Sequence, residues 1–155
     1  MITALALTAA LAFTPIVGDG TSLQHDSPIR EGQKLFDSPV SLYQGRKYVK
    51  EDNRLRYCVR YRESRHAYGA NNGTGKFRGA YQFSRKMGVG VAWMIQKELR
   101  ATGTPKEQAL HIGHELRTHR VNKWAPYWQD MGFWIVWDHG NGADHWADTN
   151  WSAKC

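Results

Sequence analysis

Tyr68-Gly69 followed by Asn71-Asn72-Gly73 puts helix breakers so close together that a helix entering this stretch must end before it. The thirty residues from Leu55 to Ser84 therefore read as a short amphipathic helix, a Gly/Asn-rich loop and a short extended segment. Leu55, Val59 and Glu63 lie four apart and share one helix face, which begins with two aliphatic residues and so points inward. That spacing aims the Glu63 carboxylate at apolar surroundings at the end of an element facing a loop. A carboxyl kept from water favours its neutral form and is suited to donating a proton to a leaving group. The competing reading pairs Glu63 with a neighbouring guanidinium, that of Arg60, Arg62 or Arg65, since structural ion pairs are the ordinary outcome in so basic a chain.

Three segments carry a family resemblance: Arg62-Glu63-Ser64 after a helix bearing Cys58, then Asn71-Asn72-Gly73-Thr74-Gly75, then Gly79-Ala80-Tyr81-Gln82-Phe83-Ser84. Together they resemble the core of the transglycosylase-like family of the lysozyme superfamily, to which the resuscitation-promoting factors belong. The resemblance implies an α+β, mainly helical, lysozyme-like domain with a short extended segment beside the catalytic helix. It implies cleavage of the β-1,4 bond between N-acetylmuramic acid and N-acetylglucosamine in peptidoglycan, with Glu63 as the catalytic acid. Gln82 would hydrogen-bond substrate or water, and Tyr81 and Asn72 are weaker substrate-binding candidates. Each has a structural alternative, Tyr81 as a core ring and Asn72 as a turn former. The family often has Cys directly before the catalytic Glu, where this chain has Arg62, and the family Trp after the Gln-Phe-Ser segment is matched at best by Trp93. No second carboxylate falls within the motif; Asp130, Asp138 and Asp144 lie far along the chain, which favours a single-carboxylate lytic route over a two-carboxylate hydrolase.

A chain of 155 residues, 41% hydrophobic, suits one domain with a real core. Residues 1–17 are uncharged, with an apolar run from Ile2 to Phe13 and a small-residue cleavage candidate at Ala10-Leu11-Ala12. They read as a signal peptide, although the run has no preceding Lys or Arg; a retained apolar helix is the alternative. Residues 18–47, interrupted by Pro28 and Pro39, read as a flexible N-terminal extension, with Leu42-Tyr43 and Tyr48-Val49 docking where the domain begins, leaving 48–155 as the catalytic domain. Export places the protein outside the cell or at the cell wall with no lasting membrane insertion. There an even count of two cysteines suggests a Cys58–Cys155 disulfide, and family members similarly end in a Cys that returns to the first helix. Closing a loop of about a hundred residues would contribute up to about 4–5 kcal/mol.

Beyond the motif, Val91, Ile95 and Leu99 line a helix that Ser84 caps, weakened at its start by Gly88 and Gly90 and ended by Gly103. Thr104-Pro105-Lys106-Glu107 reads as a capping box opening a helix to about Val121 that packs Ala109, Ile112 and Leu116. His111, His114, Glu115 and His119 lie on it, but His119 is five residues after His114, about 140° around the helix, so the register suits a solvated surface and not a metal site. No cofactor is implied. Six of the seven tryptophans fall in the last third, where most fill a core and one or two would line a glycan cleft. The net charge of +7 suits nucleic acid and the anionic bacterial wall alike and decides nothing alone; scattered positive charge without a recognition motif makes a nucleic-acid-binding protein a distant third reading. The expected protein is a monomeric peptidoglycan-cleaving enzyme. The alternative is a non-catalytic wall-binding or virion structural protein of the same fold.

Overall fold

The computed structural model describes residues 39–146. The chain is α+β and mostly helical: α1 (Asn53–Ser64), a two-stranded antiparallel hairpin of β1 (Phe77–Arg78) and β2 (Phe83–Ser84), then α2 (Arg85–Ala101), α3 (Lys106–Thr118) and α4 (Pro126–Trp137). Single 3-10 turns cover Val121–Lys123, Asp138–Gly140 and Ala143–His145. The expected signal peptide, most of the extension, Trp151 and Cys155 lie outside the described residues.

α4 is the centre. Every residue from Gln129 to Trp137 is buried, as an element apolar on all sides must be, and Pro126 opens it where a missing N–H costs nothing. α2 packs along both α3 and α4 and meets β2. Its buried face carries Val91, Ala92 and Ile95, while Trp93 and Met94 remain exposed. α2 begins at Arg85, earlier than its two glycines suggest, because Ser84 Oγ accepts the Met87 N–H at 3.2 Å and Gly88 lets the helix close on Val121. The Thr104 capping box does not form: Pro105 occupies the cap of α3 without a side-chain bond, and the helix ends at Thr118.

The hairpin register pairs Phe77 with Ser84 and Arg78 with Phe83, and Asn71 bridges to Arg78. Four residues connect the strands, with Gly79 at φ +81 and Gln82 at φ +52. The turn stays tight because Gly79 sits against Gln129 and Val121, where no Cβ fits.

Residues 41–47, which fall in the expected extension, are docked. Ser41 and Tyr43 are buried, the Leu42 N–H donates to Asp130 Oδ2 at 2.8 Å, and Trp134 Nε1 donates to Ser41 Oγ at 2.9 Å. Arg46 binds buried Glu98 through both Nε (2.9 Å) and Nη2 (2.6 Å). Polar partners on α2 and α4 hold this segment, so its lack of hydrophobic period does not predict looseness.

Candidate functional site

The inward stripe of α1 is not aliphatic. Its buried residues are Arg56, Val59 and Arg60, and Glu63 continues that row by one further turn. The Glu63 side chain is 25% exposed, and its Oε1 accepts from Arg62 Nε at 3.1 Å and Nη2 at 2.8 Å. The expectation of apolar surroundings is thus corrected: the guanidinium of the preceding residue holds the carboxylate at a partly open edge. Arg62 Nη2 is itself anchored on the Trp146 carbonyl. Glu63 Oε2 accepts no hydrogen bond among the described residues.

α1 stops here because Arg65 and His66 turn left-handed, at φ +53 and +68, with the Arg65 N–H returning to the Tyr61 carbonyl. Ser64 Oγ lies 3.0 Å from the Arg60 carbonyl and 2.9 Å from that of Ala80, sharing its proton between the helix end and the hairpin turn. The Arg-Glu-Ser segment and the Gly-Ala-Tyr-Gln-Phe-Ser segment, fifteen or so residues apart, thereby meet.

The other expected site residues fare differently. Gln82 is half-buried with Nε2 on the Gly79 carbonyl at 2.8 Å, and its left-handed backbone is uncommon outside glycine and asparagine. Tyr81 is corrected to a core ring: it is 1% exposed, so it touches no substrate. Asn72 shapes the loop, its Oδ1 accepting from Thr74 Oγ1 and the Phe77 N–H. Cys58 is half-buried and is not a free thiol, while Cys155 lies outside the described residues. Trp124, Trp134, Trp137 and Trp146 are core residues. Trp93 is 53% exposed, with the Arg117 guanidinium 3.7 Å from its ring centroid. His111, His114 and His119 are exposed, and no trio of metal-ligating side chains gathers among the described residues.

Beneath the Glu63 edge lies a buried polar hub that the sequence reading missed. Asp130, fully buried on α4, accepts at Oδ1 from Tyr81 (2.6 Å), Tyr68 (2.7 Å) and Arg56 Nη1 (3.3 Å), and at Oδ2 from Leu42 N and Ser41 Oγ. Burial, then the Asp130 charge, pushes the Tyr68 and Tyr81 hydroxyls above the ordinary 10.0. Burial also works against the Arg56 charge, but Tyr81 and Asp130 outweigh it and hold that guanidinium above its usual range. Arg60 reaches the Tyr68 hydroxyl and, through Nε, His66 Nδ1 at 3.1 Å. Next to Asp130, buried Gln129 accepts the Ala80 N–H and donates to the carbonyls of Tyr68 and Trp124. The hub therefore fixes both α1 and the hairpin turn on α4. A Gln-Asp pair inside the apolar run from Tyr127 to Trp137 was the available signal.

Asp130 is enclosed and Asp138 is held by Lys47 at 2.9 Å, while Asp144 is exposed. Chemically, the edge offers one carboxylate with an uncommitted oxygen, on a helix end tied to a strained turn. No family model matches the chain, and no curated protein or solved structure matches it.

Proposed function

We propose that the chain is a secreted, monomeric, lysozyme-like enzyme that cleaves the β-1,4 bond between N-acetylmuramic acid and N-acetylglucosamine in peptidoglycan, acting as a lytic transglycosylase. The observation that carries this reading is the tie from Ser64 to the Ala80 carbonyl, which joins the two motif segments of the resemblance and leaves Glu63 Oε2 uncommitted beside them. Glu63 leaves Arg62 when glycan displaces the guanidinium, takes up a proton and donates it to the glycosidic oxygen. It then accepts the proton of the muramic C6 hydroxyl as that oxygen closes on C1, giving a 1,6-anhydro product; attack by water would give the hydrolytic one. Burial of Asp130 removes one of the three distant carboxylates that a two-carboxylate mechanism could set across the sugar. Gln82 supplies a side-chain carbonyl to substrate or water. The +7 charge concentrates the protein on an anionic wall, and no helix among the described residues is long and apolar enough to cross a membrane.

The Arg62 clasp favours a second reading, in which the fold binds wall glycan or serves as a virion structural part without cleaving. Zymography on purified peptidoglycan separates the two. Clearing that disappears in Glu63→Gln with an unchanged circular dichroism spectrum supports the enzyme; binding without clearing in the wild type supports the alternative.

A further inference from the structure

A second constellation lies where the hairpin, the start of α2 and the end of α3 converge. An open cavity of about 250 Å³ is lined there by Arg78 of β1, Ser84 and Arg85 at the N-terminus of α2, and His119, Arg120 and Val121 after α3. That volume takes in open solvent; the space within it is about 10 Å³, room for no more than one water. Three arginines from three separate elements thus line one small space, and none of them joins an ion pair among the described residues. Arg78 Nε is buried without a hydrogen-bond partner among the described residues, a costly arrangement for a charged donor unless an acceptor arrives. The first turn of the seventeen-residue α2 has no acidic side chain, and Ser84 Oγ takes its Met87 N–H. His119 Nδ1 donates to the Glu115 carbonyl at 2.9 Å, leaving Nε2 uncommitted; the Glu115 carboxylate, 3.7 Å from Nδ1, is the acidic neighbour of the cluster.

We propose that this cavity binds a terminal phosphate group, free or as a monoester. Guanidinium matches phosphate and carboxylate alike, but donors from three directions suit a tetrahedral group with three free oxygens better than a planar one with two. The group sits at the mouth between Arg85 and Arg120, since the interior has no room for it. The site uses neither Glu63 nor glycan cleavage, so it stands apart from the proposed enzymatic reading.

Isothermal titration of the full chain at ionic strength held constant with NaCl tests it, with inorganic phosphate, glycerol 3-phosphate and dimethyl phosphate as probes. The first two are expected to bind one to one. Arg85→Ala and Arg120→Ala, both at exposed positions, should each weaken them about five- to tenfold, as loss of one charge-assisted bond at a partly open site would. Arg100→Ala, an exposed arginine on the far end of α2, should leave affinity unchanged, and Arg78→Lys should weaken it while keeping the fold. Absence of saturable phosphate binding, or equal affinity in the Arg85 and Arg120 variants, would overturn the site. Dimethyl phosphate binding as tightly as the monoester would overturn its preference for a terminal phosphate, and glycerol 3-phosphate failing where inorganic phosphate binds would confine the site to the free ion.

Discussion

Asp130 makes more buried polar contacts than any residue of the Glu63 region, and removing it strands the Arg56 charge in a site without water. Breaking a buried pair in this way costs about 3–5 kcal/mol, so Asp130→Ala should lower the denaturant midpoint accordingly with an unchanged slope. The tyrosines give a second test. Because both hydroxyls are held above 10.0 in the fold, the native state keeps protons that the unfolded chain releases; the stabilisation is complete below about pH 10 and is lost as pH rises beyond it. Absorbance at 295 nm and circular dichroism followed together should show at least two tyrosines ionising only as the chain unfolds; ionisation of all seven before unfolding would contradict the hub. This hub was hard to read from sequence because an arginine on a helix is taken for a surface residue. Only the placement of Arg56 and Arg60 on the Val59 face, opposite an Asp inside an apolar run, hinted otherwise.

Two glycines one turn-fragment apart in α2 separate local preference from packing. The ideal Cβ of Gly88 would lie 2.6 Å from Val121 Cγ2, whereas that of Gly90 meets nothing within 4 Å. Gly88→Ala should therefore destabilise by about 1–3 kcal/mol through overpacking, while Gly90→Ala should stabilise by up to about 1 kcal/mol through helix propensity. Thermal unfolding of the two variants checks the contrast; equal effects would mean that α2 does not close on Val121. The same pair marks what the sequence disclosed about elements. α3 was legible from period and from the Pro at its start, and the apolar run of α4 as core though not as a helix, but the early start of α2 depended on a contact with a residue more than thirty positions away. Glu63 was legible as the last-turn carboxylate of α1, whereas its partner Arg62 was one of several candidates that only the folded geometry distinguishes.

Across the molecule, one helix, α4, gathers the N-terminal segment, α1, the hairpin and the Trp146 region around it, so the Glu63 edge is set by contacts far apart in sequence. Trp146 Nε1 donates to the Tyr81 carbonyl while its own carbonyl receives Arg62, which links the end of the described chain to the Glu63 clasp. The sequence reading docked only Leu42-Tyr43 of the segment at 41–47, because hydrogen bonds to Asp130, Glu98 and Asp138, and not a hydrophobic period, hold the rest. The account turns on Glu63 acting alone as acid and base, and mass spectrometry of muropeptides released from purified peptidoglycan tests that most directly. It predicts 1,6-anhydromuramic products, about one water lighter than hydrolytic ones, from the wild type and none from folded Glu63→Gln. Undiminished release by that variant, or no release by the wild type, would contradict it.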